Sequence, residues 1–84
     1  MKKRSIYTEW TETIGEITAT CLYDMEEESY TVSCTMGDTT KEVTWPRMGY
    51  EPRFGMDEQD AIRSKMEAEK LAKELEEGGW WTKE

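Results

Sequence analysis

Apolar and polar positions alternate along the first half of the chain, with one set at even positions (Ile6, Thr8, Trp10, Ile14) and then another at odd ones (Ile17, Ala19, Cys21, Tyr23, Met25). A period of two puts each set on one face of a β-strand. The parity changes at Gly15, and a glycine there suits a β-bulge or tight bend because it takes positive φ without steric cost. Residues 5–25 therefore form either one long bent strand or two strands. From Tyr30 the alternation returns at Tyr30, Val32, Cys34 and Met36. If Met25 pairs with Tyr30 across a Glu26–Ser29 loop, Tyr23 opposes Val32 and Cys21 opposes Cys34. A register shifted by two residues makes the cysteines diagonal instead. A Gly37-Asp38-Thr39-Thr40 turn then brings Val43 and Trp45 to the same face. The other face is lined by Thr18, Thr20, Thr31, Ser33, Thr35 and Thr44.

Two Pro and two Gly break the pattern between Pro46 and Met56, so this stretch is expected to connect rather than pair. Asp57 can cap a helix, Glu58 and Asp60 suit the positive end of its dipole, and Gly78 predicts its C-terminus. Ala61, Ala68, Leu71, Ala72 and Leu75 form one stripe within about 100° of arc. Ile62 and Met66 lie roughly 140° from its centre and form a second apolar patch. The predicted fold is α+β: a three- or four-stranded antiparallel meander (5–45), a loop (46–56), one C-terminal helix (57–78) packed on one face, and a tail (79–84). All of it forms a single small domain.

Eighty-four residues bury only about 60% or slightly more of their unfolded surface, which disfavours a large internal active site. Four Trp and four Tyr supply much of the available core area. Met1-Lys2-Lys3-Arg4 has the charge of a signal-peptide start, but Ser5 to Glu12 lacks the apolar run that must follow. No stretch approaches the roughly 18 apolar residues of a membrane span. Two Cys without His exclude the usual zinc sets, and a cytoplasmic protein is expected.

Charge changes the picture most. Between Ser5 and Trp45 stand Glu9, Glu12, Glu16, Asp24, Glu26, Glu27, Glu28, Asp38 and Glu42 against one base, Lys41, a balance equal to the net charge of −8 of the whole chain. Asp24 with Glu26–Glu28 is not a calcium site by pattern, because three consecutive Glu cannot converge on one ion; a solvated hairpin tip is the simpler reading. Cys21 and Cys34 read as small reduced core residues. Carboxylate pairs abound by chance and carry no signal for acid–base catalysis. Arg47, Tyr50, Arg53 and Phe54 interleave bases and aromatics as single-strand binders do, but a phosphate backbone is repelled by the surrounding charge. Trp80 and Trp81 are either a latch on the domain or an interaction hot spot.

Acidity can serve solubility alone. Solubility does not require segregation, and the helix segment 57–77 holds eight acids to four bases where the sheet holds nine to one. The sequence therefore predicts a non-enzymatic binding protein whose nine sheet acids occupy a basic nucleic-acid-binding groove of a larger partner, standing in for phosphates. In size, acidity and lack of motifs it resembles the small phage-encoded inhibitors of bacterial defence nucleases, the anti-CRISPR type among them; the resemblance carries over no residue. The alternative is a small homodimeric structural or accessory protein of a phage or bacterium, with Ile62, Met66, Trp80 and Trp81 as a second interface. No cofactor, metal, membrane or direct nucleic-acid contact is expected. If the chain is phage-encoded, its place is the host bacterial cytoplasm.

Overall fold

The structure, a computed structural model, describes residues 6–52 and 55–81, with side chains as far as Glu77. Four strands, β1 (Ile6–Ile14), β2 (Ile17–Asp24), β3 (Ser29–Met36) and β4 (Thr39–Pro46), form one antiparallel sheet in the order β1-β2-β3-β4. A single helix, α1 (Glu58–Trp81), packs on one face of it.

Each register is set by a short local turn. Residues 6–25 are two strands, because Gly15 occupies the first central position of a two-residue turn at φ 61, where a type II′ hairpin needs a positive value. Gly37 does the same at φ 62, and Met36 pairs directly with Thr39, so this turn is Gly37-Asp38 alone rather than four residues. Between β2 and β3 the loop is Met25–Glu28. Asp24 Oδ1 accepts the amides of Glu26 (2.9 Å) and Glu27 (3.2 Å), which closes the turn one residue earlier than a Glu26–Ser29 loop requires. Tyr23 consequently faces Tyr30, Cys21 faces Val32 and Ala19 faces Cys34, so the cysteines are diagonal and Met25 is exposed in the loop. Both cysteines are free.

The parity of β1 needs a correction of its own. Glu9 is an extra residue between the Thr8–Leu22 and Trp10–Cys21 pairs, so Ile6 and Thr8 lie on the face opposite Trp10 and Ile14. The bulge brings Tyr7 onto the helix side, where Tyr7, Tyr23, Tyr30 and Trp45 form a row across all four strands. Successive ring centroids are 5.9, 4.8 and 5.8 Å apart, the spacing at which aromatic pairs add to the stability of burial.

The helix begins above this row. Asp57 caps it, its Oδ2 accepting the Gln59 amide at 2.9 Å. Farther along, Ala68, Leu71, Ala72 and Leu75 bury against Ile17, Ala19, Cys21, Val32 and Cys34, small residues on both sides letting the helix approach closely. The Cys34 thiol donates to the Ala68 carbonyl at 3.5 Å. Ala61 is only half-buried, and Asp60 and Ser64 complete the inward stripe. The helix does not stop at Gly78 but continues through Gly79 to Trp81. Glycine permits a left-handed cap without imposing one, and it accepts helical angles at a cost of about 1 kcal/mol relative to alanine. The side chains of Trp80 and Trp81, and Arg53 and Phe54 altogether, lie outside the described residues.

Asp60, in the first turn, is wholly buried. Its Oδ1 accepts the Trp45 indole N–H and the Met48 amide, both at 3.1 Å, and its Oδ2 accepts the Gly49 amide at 3.0 Å. Gly49 has no substitute here, since a Cβ at that position overlaps the Asp57 side chain. Replacing Asp60 by Ala strands three donors, each costing about 1–3 kcal/mol, against a total of about 5–15 kcal/mol for a typical protein. Urea denaturation of Asp60→Ala is expected to show a sharply lowered midpoint or no cooperative transition, with Asp60→Asn in between. A loss below about 0.5 kcal/mol, the range of inert surface changes, contradicts this role.

Candidate partner-binding surface

The sheet has one covered and one open face. By the register, the open face carries Thr8, Thr11, Thr13, Thr18, Thr20, Thr31, Thr35, Thr40 and Thr44 with Ser29 and Ser33, so the threonines expected to face away from the core do so. Hydroxyls pair across strands, Thr31 with Thr44 at 2.9 Å and Thr35 with Thr40 at 3.0 Å. Among the described residues this face has no base. Lys41 is on the helix side and reaches Glu74 at 3.7 Å, Arg47 follows β4 and meets Glu28 at 3.4 Å, and Arg63, Lys65, Lys70 and Lys73 are on α1.

The nine sheet acids do not form one surface. Glu16 and Asp38 occupy the hairpin turns at one end, and Asp24 with Glu26–Glu28 the opposite end, separated by strands of eight residues or about 26 Å. Glu12 is on the helix side, where Lys65 donates to it at 2.9 Å while lying 4.3 Å from the Trp10 ring centre. Trp10 Nε1 donates to Ser64 Oγ at 3.0 Å, which together with the Lys65 contacts ties the edge strand β1 to the helix. Glu9, in the bulge, is half-buried, and burial pushes its carboxyl above the usual range.

What the fold does bring together is Asp24, Glu27 and Glu42. These three line a shallow depression of about 370 Å³ on the open face, with Ser29, Thr31 and Thr44 between them and Ile6 and Leu22 as apolar surface. The outward side chains stack in cross-strand rows: Ile6, Asp24 and Ser29; then Thr8, Leu22, Thr31 and Thr44; then Thr11, Thr20, Ser33 and Glu42. Sequence reasoning missed Ile6 and Leu22 as members. Leu22 carries a signal, being apolar at the polar parity of its strand, whereas Ile6 reaches this face only through the Glu9 bulge.

Ile62 and Met66 are exposed, at 54% and 63%, on the side of the helix turned away from the sheet. In the described part of the 46–56 loop, Met48 and Gly49 close on Asp60 and Pro52 is buried. Burial pushes the Cys21 thiol up to about 12, with the Glu9 charge adding to the effect, and raises Cys34 as well, so neither thiol is an accessible nucleophile. The Tyr30 hydroxyl is buried without a hydrogen-bond partner among the described residues, and burial raises its pKa too. Among the described residues no group of three or more Cys, Asp or Glu could hold a metal ion, and no helix is long and apolar enough to cross a membrane. No protein-family model, curated protein or solved structure matches the chain.

Because the Glu9 carboxyl titrates higher in the folded state than in the unfolded one, its contribution favours folding at low pH and is lost as pH rises through the folded value. Glu9→Gln removes the half-buried charge. Its urea midpoint is expected to exceed wild type at pH 7 and to converge on it near pH 3; a midpoint below wild type at pH 7 contradicts the assignment.

Proposed function

We propose that the protein is a small non-enzymatic inhibitor that binds a basic, nucleic-acid-binding protein and keeps nucleic acid out of its groove. The observation that carries this reading is charge segregation: the open sheet face and the β2–β3 loop present Asp24, Glu26, Glu27 and Glu42, while the described bases lie on the helix side, apart from Arg47, which pairs with Glu28 of that loop. Carboxylates fixed on a rigid sheet offer lysine and arginine what phosphates offer, and their field speeds encounter with a positive groove. Glu9, Glu12 and Glu28 contribute to that field from less exposed or paired positions. Glu16 and Asp38, at the far end, engage a partner only if its groove runs the length of the sheet. The proposed setting is the cytoplasm, that of a bacterial host if the chain is an anti-defence protein of a phage.

A second reading rests on Ile62 and Met66, since exposed apolar side chains on a helix face suit a symmetric contact between two copies. The two readings are compatible, because the helix and the open sheet face are on opposite sides.

Capture of a basic protein from bacterial lysate at low salt, with release by high salt and by added nucleic acid, is the expected behaviour. With the captured protein, Glu26→Lys, Glu27→Lys and Glu42→Lys together should slow association about tenfold or more, while Glu69→Lys, Glu76→Lys and Glu77→Lys, exposed on the helix, should have far less effect. Equal effects, or affinity indifferent to salt, reject the proposal. For the second reading, sedimentation velocity should find a dimer that Ile62→Glu with Met66→Glu converts to monomer without loss of helical circular dichroism; a concentration-independent monomer rejects it.

A further inference from the structure

We infer that the free edge of β4 takes an extended segment of the partner protein as a fifth, antiparallel strand, with a lysine or arginine of that segment opposite Glu42. The inference rests on the function proposed above and deepens it by naming how the partner attaches. Main-chain groups make the attachment, and one charge pair selects the occupant.

β4 is an outer strand, and its ladder with β3 runs without a shift from the Met36–Thr39 pair to the Ser29–Pro46 pair. In a two-residue hairpin the closing pair is hydrogen-bonded, and bonded and non-bonded pairs alternate from there. Thr39, Lys41, Val43 and Trp45 therefore direct their N–H and C=O groups at β3. The Arg47 amide keeps the same alternation, donating to the Glu28 carbonyl at 2.8 Å. Pro46, which has no N–H, falls at a position that donates nothing to β3. Thr40, Glu42 and Thr44 are left aiming three N–H and three C=O groups outward. All three residues are exposed, and no main chain among the described residues pairs with these groups. The other outer strand is no equivalent. The Glu9 bulge breaks its row of outward groups between Thr8 and Trp10, and Trp10 and Glu12 are bonded to the helix.

A second copy of β4 suits this edge poorly. The antiparallel register that uses all the outward groups pairs Thr40 with Thr44 of the second copy and sets the two Glu42 side chains directly opposite each other, where like charges repel. Sliding by two residues brings Thr40 opposite Pro46, or Thr44 opposite Asp38 in the turn, and leaves groups unmatched. A foreign strand with Lys or Arg at the central position turns the same contact into an opposite-charge pair. On the helix side its flanking residues meet half-buried Val43 and the Lys41 stem, so apolar or β-branched side chains belong there.

The test uses the full chain and an acetylated, amidated Thr-Val-Arg-Val-Thr peptide, followed by amide chemical-shift mapping and hydrogen exchange. Downfield shifts and slowed exchange are expected at the amides of Thr40, Glu42 and Thr44, with little change at Lys41 and Val43, whose amides already face β3. In this register the arginine N–H points at β4 and the valine N–H groups point away. N-methylation at the arginine should therefore weaken binding about tenfold or more, and N-methylation at the first valine less than about threefold. Glu42→Gln should weaken it about two- to fivefold and leave a citrulline version of the peptide unaffected. Glu16→Gln, the same loss of charge at a hairpin turn, should leave both peptides unaffected. Equal effects of the two N-methylations, equal effects of Glu42→Gln and Glu16→Gln, shifts centred on β1 or on the helix, or no binding at millimolar peptide overturn the inference. So does slow exchange at Thr40, Glu42 and Thr44 before peptide is added, since the edge is then already occupied. A second copy is the occupant if that protection rises with concentration, and another part of this chain if it does not. If the peptide pairs with β4 as described but no lysate protein is displaced by nucleic acid, the inhibitor reading fails while this edge stands. If a captured protein is displaced by nucleic acid yet slows no exchange at Thr40, Glu42 and Thr44, the inhibitor reading stands and this attachment fails.

Discussion

The Asp60 carboxylate is shut off from water and accepts the Trp45 indole, the Met48 amide and the Gly49 amide, so β4, the segment after it and the helix start are held at one point. A charge in that position is tolerable only while its donors are in place, because an unpaired buried carboxylate is very costly. The helix N-terminus helps, since its positive dipole end favours an anion. The rest of the arrangement depends on this junction. Trp45 is fixed as the end of the aromatic row, Gly49 must pass close to the Asp57 cap, and the helix is aimed along β3 so that Ala68 reaches Cys34 and Glu74 reaches Lys41.

Much of this architecture was legible from residue order because it is local. Gly15 and Gly37 mark where the chain turns, though not that each turn is only two residues long, the alternating threonines mark the uncovered face, and Asp57 with the Ala68–Leu75 stripe specifies where the helix starts and which side it buries. The illegible parts depend on partners distant in sequence. Glu9 becomes a bulge only when β1 must place Tyr7 beside Tyr23 and Trp10 beside Cys21, two aromatics three positions apart that an even strand cannot put on one face. Asp60 looks like an ordinary acid in a helix's first turn until Met48 and Gly49 fold onto it. The β2–β3 register turned on whether the Asp24 side chain or a later residue closed the loop, a choice of one hydrogen-bonding group. For the candidate surface, composition indicated acidity but not its division. Glu12 and Glu28 find bases, Glu16 and Asp38 lie at the far end, and only Asp24, Glu27 and Glu42 converge on one concavity.

That division gives the molecule two dissimilar sides. On the helix side, acids and bases are interspersed and several are paired, an arrangement whose field largely cancels at a distance. On the other, hydroxyls of the open sheet face surround the carboxylates of Asp24, Glu27 and Glu42. A rigid hydroxyl surface loses little conformational entropy on contact, because its threonines are already restricted at χ1 and several bond to one another. The shape of the surface is therefore set before any partner arrives.

The meander order has a kinetic consequence. Each strand pairs with its neighbour in the chain, across turns of two, four and two residues, so the sheet can zip up from short loop closures of small entropic cost. The Trp10–Ser64 hydrogen bond, by contrast, joins residues 54 apart, and the Lys65–Glu12 bridge joins residues 53 apart. Among the hydrogen bonds described, these span the greatest distances along the chain, and the helix can make them only once a sheet exists to receive it. Folding should then proceed from hairpins to sheet to helix docking. The aromatic row, three of whose four rings belong to β1–β3, assembles as the hairpins close, and Trp45 is secured only when Asp60 arrives.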